Sequence, residues 1–174
     1  MPERDLTRWL PIGRDLTRSL NLSSYLIAWL TKLGRTFHPS LSLYTTALYY
    51  PIICYLLSLL LIWLTVKRWF GITAAQLTTL LLAVHPSMLG RSAAGFADRD
   101  ALCLLLALGG GYSYLRARTS SSSKQGWIWM GISALSMSLL ALSWEGVGIF
   151  TSIIALVELI RFIIRGYSRR DLLT

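Results

Sequence analysis

The run from Leu43 to Val66 (LYTTALYYPIICYLLSLLLIWLTV) has 24 residues and no charge. As a helix rising 1.5 Å per residue it is long enough to cross a hydrocarbon core of about 30 Å with some tilt. It stops at Lys67 and Arg68, and four shorter apolar runs follow: Ile72 to Leu89, Ala101 to Leu115, Trp127 to Ser143 and Val147 to Ile164. Lipid offers no partners for backbone groups, so such runs must be helices or strands of a closed barrel, and alternating barrel strands of about ten residues do not fit them. The expectation is an all-α, polytopic membrane helix bundle with about five transmembrane helices. Composition agrees, because 54% of residues are apolar and 14% charged, where a soluble domain keeps roughly a quarter charged.

The net charge of +9 would suit a nucleic-acid binder on another background, but the hydropathy excludes that partner. Membrane topology explains most of it instead. If the five runs alternate direction, Lys67, Arg68, Arg116, Arg118, Lys124, Arg161, Arg165, Arg169 and Arg170 all fall on one side, while the opposite loops carry only Arg91 and Arg99. The positive-inside rule then puts the 90–100 loop outside the cytoplasm. The N-terminal cations Arg4, Arg8, Arg14, Arg18, Lys32 and Arg35 conflict with that orientation, and one upstream span outside this sequence would remove the conflict. The expected division is an interfacial, extracytoplasmic amphipathic segment over 1–40, a transmembrane bundle over 41–166 with an acidic external loop at 90–100, and a basic cytoplasmic tail at 167–174.

That external loop concentrates Arg91, Asp98, Arg99 and Asp100 between apolar helices, and Glu145 emerges on the same side. Charges near lipid are costly, so they mark either solvated loop or a site. Asp98 and Asp100 can converge on a hard cation through oxygen, with Arg91 offering a fork of donors to a phosphate. The alternative is that Asp100 caps a helix starting at Ala101 while Asp98 and Arg91 solvate the turn.

Pro86-Ser-Met-Leu-Gly-Arg-Ser-Ala-Ala-Gly-Phe-Ala-Asp-Arg-Asp100 resembles the second acidic motif of the oligosaccharyltransferase catalytic subunits, membrane glycosyltransferases of the GT-C class. Pro86, Arg91, Ser92, Ala94, Gly95, Asp98 and Asp100 stand at the matching places. Ser143-Trp-Glu-Gly-Val147 is similar to the Ser-Trp-Gly-Gly following the family's fifth span, with Glu145 departing from the commoner Gly. The resemblance covers about Leu41 to Ile164. It implies a fragment of a GT-C fold, in an ER membrane or a bacterial or archaeal plasma membrane. The enzyme would move a polyprenyl-linked glycan to asparagine of an acceptor polypeptide. It also implies that Asp98 binds a divalent cation, manganese or magnesium, that Asp100 supports that site, and that Arg91 serves the pyrophosphate; Glu145 is a further candidate for substrate contact. The family's other acidic ligands have no matching context here, and its Trp-Trp-Asp-Tyr-Gly acceptor motif is missing, since no Trp-Trp pair occurs. The 174-residue chain alone is therefore expected to be inactive. Two other readings stay open on the sequence: a GT-C transferase moving a single sugar from a polyprenyl phosphate, and a non-enzymatic membrane scaffold or transporter piece.

Four smaller expectations concern packing. Cys54 and Cys103 should be buried thiols. His85 beside Pro86 should mark a kink, and Glu158 should pair with Arg161 at helical spacing. Trp127, Trp129, Trp144, Tyr112 and Tyr114 should form an interfacial belt.

Overall fold

A computed structural model of the chain describes residues 4–5, 14–15, 22–95 and 98–165. The described residues form a helical bundle in the order α1 (Leu22–Gly34), α2 (Leu43–Phe70), α3 (Ile72–Ala83), α4 (Pro86–Ser92), α5 (Asp100–Arg118), α6 (Ser123–Ala141) and α7 (Val147–Arg165). Ahead of them, β1 (Arg4–Asp5) and β2 (Arg14–Asp15) make a two-residue antiparallel pairing with Arg4 opposite Asp15. The all-α class is as expected. Of the 1–40 segment, Leu22–Gly34 is helical; the rest of its N-terminal half, apart from those two short pairs, and the 167–174 tail lie outside the described residues.

Local chemistry sets the helix ends. At the start of α2 the Ser42 hydroxyl accepts the Thr45 N–H at 3.0 Å, which satisfies one of the donors a helix leaves free there. Lys67 and Arg68 occupy its last turn, where cations suit the negative end of the dipole. The chain reverses into α3 at Gly71, whose φ of 89° is strained for any residue with a Cβ.

The second apolar run does not form one straight helix. Pro86 pushes the residue before it out of the helical region, and His85 sits at φ −67°, ψ 118°. The axes of α3 and α4 consequently differ by 63°. Pro86 has no N–H to give the Leu82 carbonyl; the Tyr55 hydroxyl of α2 and the His85 N–H donate to that oxygen instead.

All five apolar runs become helical, but they differ in how well they suit lipid. Helices α2 and α7 are long and apolar enough to cross a membrane, and α3 with α4 adds a third span if the bent pair is counted as one. Helices α5 and α6 have 19 residues each, about 28 Å at 1.5 Å per residue. Their composition is less apolar, because α5 contains Asp100, Arg116 and Arg118 and α6 contains Ser123, Lys124, Gln125 and four further serines or glycines between Gly126 and Ser136. These two helices form the most extensive pairing in the bundle.

Helix α5 is the central element. Its Ala101 and Leu102 pack with Ile27 of α1 and with Tyr50 and Cys54 of α2, while Cys103 and Ala107 pack with Leu140 of α6. Both cysteines are buried and free, as expected. Close approach of α5 to α6 rests on small residues: the Ser133 hydroxyl donates to the Gly110 carbonyl at 2.9 Å, and a Cβ on Gly110 would lie 2.6 Å from the Met137 methyl and 3.3 Å from its Cγ. The methyl of Met137 can swing away, but a branched side chain would also meet the stem. Gly110→Leu is therefore expected to destabilise the bundle by about 1–3 kcal/mol, read as a lower thermal midpoint in detergent, with Gly111→Leu as the comparison, since a Cβ there meets nothing within 4 Å.

Candidate functional site

The contacts along α5 define two ends of the bundle. Its first turns meet the early part of α2 and the last turn of α6. Its last turns meet the end of α2 and the start of α6 through Tyr112, whose ring lies edge-on to Trp69 at 6.2 Å and to Trp129 at 6.0 Å. The loop between α4 and α5 and the turn between α6 and α7 thus share one end. Lys67, Arg68, Arg116 and Arg118 gather towards the other. This is the charge separation expected from the order of the apolar runs.

At the acidic end the chain leaves α4 through a turn at Gly95, with φ 89°. The Gly95 N–H donates to the Leu48 carbonyl of α2 at 3.4 Å. Phe96 and Ala97 lie outside the described residues. The Asp98 carboxylate accepts the N–H of Arg99 at 2.7 Å, and Asp100 is the first residue of α5. A guanidinium N–H of Arg91 donates to the Asp100 carboxylate. The end of α4 and the start of α5 are therefore clamped by an ion pair whose acid also sits at the positive end of a helix dipole. Asp100 is 26% exposed and Arg91 56% exposed, so the pair is open to solvent and to an incoming ligand.

The expected alternative for this loop needs one adjustment. Asp100 does not cap a helix beginning at Ala101; it is inside the helix, and the preceding Arg99 makes no side-chain cap. The carboxylate is thereby free of the helix's own N–H groups and directed to Arg91.

Arg99 reaches the other way, donating from Nη1 to the Ser143 carbonyl at 3.4 Å. Ser143 is buried, and the next residues, Trp144-Glu-Gly146, make the turn into α7. A Cβ on Gly146 would lie 2.3 Å from the Trp144 ring, so the indole can fold over this turn only because position 146 has no side chain. Trp144 then stacks edge-on against Phe150 at 6.3 Å. Glu145 is exposed and forms no ion pair or hydrogen bond among the described residues. The structure thus joins Arg91 to Asp100 directly, places Asp98 beside them in sequence, and ties the Glu145 turn to the same corner through Arg99.

Among the described residues no group of three His, Cys, Asp or Glu side chains comes together as a metal cage. Two carboxylates in a solvent-open corner still match a magnesium-like ion, which takes one or two protein carboxylates and fills its remaining positions with water and substrate phosphate oxygens.

Sequence periodicity misses a second polar cluster. Glu158 of α7 pairs with Arg161, Nη1 to Oε1 at 3.6 Å, as expected, but it also faces Arg118 of α5 at 3.5 Å and accepts from the Tyr114 hydroxyl. Tyr114 is buried rather than part of an interfacial belt; its hydroxyl finds a charged acceptor inside the bundle, which outweighs an interfacial position. Tyr112 and Trp129 do lie at the bundle end, in contact with Arg116.

No curated protein matches the chain at a significant level. A family model described as oligosaccharyl transferase STT3, N-terminal, matches residues 3–173. With its apolar helices long enough to span a bilayer, the protein is an integral membrane protein, and it belongs to the oligosaccharyl transferase STT3 family, of which it carries the N-terminal region.

Proposed function

We propose that the chain forms part of a glycosyltransferase that moves a polyprenyl-linked glycan to asparagine of an acceptor polypeptide, with the Arg91–Asp98–Asp100 corner as its share of the metal and lipid-phosphate site. The observation that carries this reading is the Arg91–Asp100 clamp beside Asp98, at the end of the bundle opposite Lys67, Arg68, Arg116 and Arg118. By the positive-inside rule that end faces away from the cytoplasm.

In this reading Asp98 and Asp100 hold manganese or magnesium. When bound, such an ion neutralises pyrophosphate charge and makes the lipid pyrophosphate a better leaving group. Arg91 acts separately, because its planar fork suits a phosphate as well as a carboxylate. Its fork, which bonds Asp100 in the free protein, would pass donors to a phosphate oxygen of the substrate, leaving the Asp100 carboxylate available as an oxygen ligand. Glu145, exposed on the turn that Arg99 ties to this corner, would contact the glycan or the acceptor in this reading.

A purely structural corner is the competing reading, favoured by the bonds both acids already make with Arg99 and Arg91. Titrating the purified chain with Mn2+ separates them by electron paramagnetic resonance. The proposed site should take up Mn2+ at least about tenfold more tightly when a short polyprenyl pyrophosphate is present, because phosphate oxygens complete the ligand set. Equal uptake with and without the pyrophosphate would leave the corner structural.

A further inference from the structure

At the end of the bundle opposite the acidic corner, the α2 terminus and the loop between α5 and α6 border a polar, half-open pocket of about 110 Å³. That is room for several water-sized groups. Arg68 and Arg116 line it together with Ser121, Gln125 and the indole of Trp129. The described residues provide no carboxylate for either guanidinium: the ion pairs there are Arg91–Asp100 and those of Glu158 with Arg118 and Arg161. Arg116 is held in place without being neutralised, donating from Nη1 to the Tyr112 hydroxyl at 3.2 Å and stacking over Trp129 at 4.8 Å.

The lining also holds two exposed donor side chains that are not engaged among the described residues. Thr119 and Ser120 are engaged, donating to the carbonyls of Leu115 and Ser122, whereas the Ser121 hydroxyl and Gln125 amide form no side-chain hydrogen bond among the described residues. Ser122, at the N-cap of α6, makes no side-chain cap, so the first N–H groups of that 19-residue helix add positive potential to the same place. One held cation, a second beside it at the end of α2, free donors and no carboxylate among the described residues make a pocket of this size suited to a tetrahedral oxyanion.

Its position narrows the source. Trp63 and Trp69 carry Lys67 and Arg68 over their rings at 4.3 and 5.6 Å, an arrangement of aromatic bodies with cationic tips that suits the headgroup layer of a bilayer. We infer that this cavity binds a phosphate group, supplied by the headgroup of an anionic phospholipid or by free inorganic phosphate, and that Arg68 and Arg116 grip it.

Isothermal titration of the full chain in neutral maltoside micelles tests the inference, using short-chain phosphatidylglycerol, inorganic phosphate and, as a zwitterionic comparison, phosphatidylcholine. Saturable one-site binding of phosphatidylglycerol or of phosphate is expected, and the ligand that saturates identifies the source. Arg68→Gln, at an exposed helix end where folding should survive, is expected to weaken it about tenfold, as loss of one charge-assisted contact does. Arg116→Lys, which keeps the charge but not the fork, should also weaken it. Lys32→Gln on α1, outside the cavity, should leave it unchanged. Absence of saturable binding by both anions would overturn the inference, as would affinities that do not change in both arginine variants.

Discussion

Asp98→Asn in the whole enzyme is expected to lower metal-dependent glycan transfer by about a hundredfold or more. The reasoning starts from what the substitution preserves. The asparagine side-chain oxygen can still accept the Arg99 N–H that Asp98 accepts at 2.7 Å, so the turn into α5 keeps its local bond. What is removed is the negative charge and one hard oxygen ligand. Loss of groups that merely orient a metal ligand costs about 10–100-fold, and loss of a ligand itself should reach at least the upper part of that range. Asp100→Asn is expected to cost less, about tenfold, because Asp100 supports the ion from the edge of the site, and to act differently: an amide oxygen can still accept from Arg91 but the clamp loses its charge, so the end of α4 should loosen and exchange amide protons faster. The comparison is made by measuring glycopeptide formation against Mn2+ concentration for both variants. A ligand role predicts that high Mn2+ partly restores Asp98→Asn; activity equal to the unsubstituted enzyme's at every Mn2+ concentration would defeat the assignment of Asp98.

Much of this corner is legible from the sequence because the relevant distances are short along the chain. Pro86 dictates an extended His85, and the helix break follows from one ring. Asp98 and Asp100 stand two residues apart just ahead of an apolar run, so their place at a helix entrance follows from local pattern alone. Which acid Arg91 selects does not: the choice of Asp100 depends on the angle at which α4 returns to α5, and that angle is set by packing on α2 around Leu48 and Gly95. The number of spans is blurred for a related reason. Apolar length identifies α2 and α7, but α5 and α6 trade apolarity for small and polar residues that fit each other, and Ser133 with Gly110 is such a fit. Periodicity also cannot show that Arg118 and Tyr114 serve Glu158, because 40 or more residues separate them and only the parallel approach of α5 and α7 brings them together.

That last cluster leads to the largest expected effect on stability. Glu158 is 24% exposed and Arg118 13% exposed, so both charges are largely removed from water, and most of the surface α7 presents is apolar. Removing the carboxylate takes away the negative charge that faces the largely buried Arg118, at a cost of about 3 kcal/mol. Glu158→Ala is therefore expected to lower the thermal midpoint of the purified chain by several degrees and to expose α7 to protease, since α7 makes few other contacts with the bundle. Glu158→Gln should cost less, because an amide oxygen can still accept from Tyr114. Arg161→Ala should cost under about 1 kcal/mol, since that cation is 35% exposed and its pair is weak. The decisive measurement is a double-mutant cycle: Arg118→Met with Glu158→Ala should be less destabilising than the sum of the single changes, because the double variant buries no unmatched charge. Strict additivity would show that the two charges do not act on one another and that α7 is held by its apolar contacts alone.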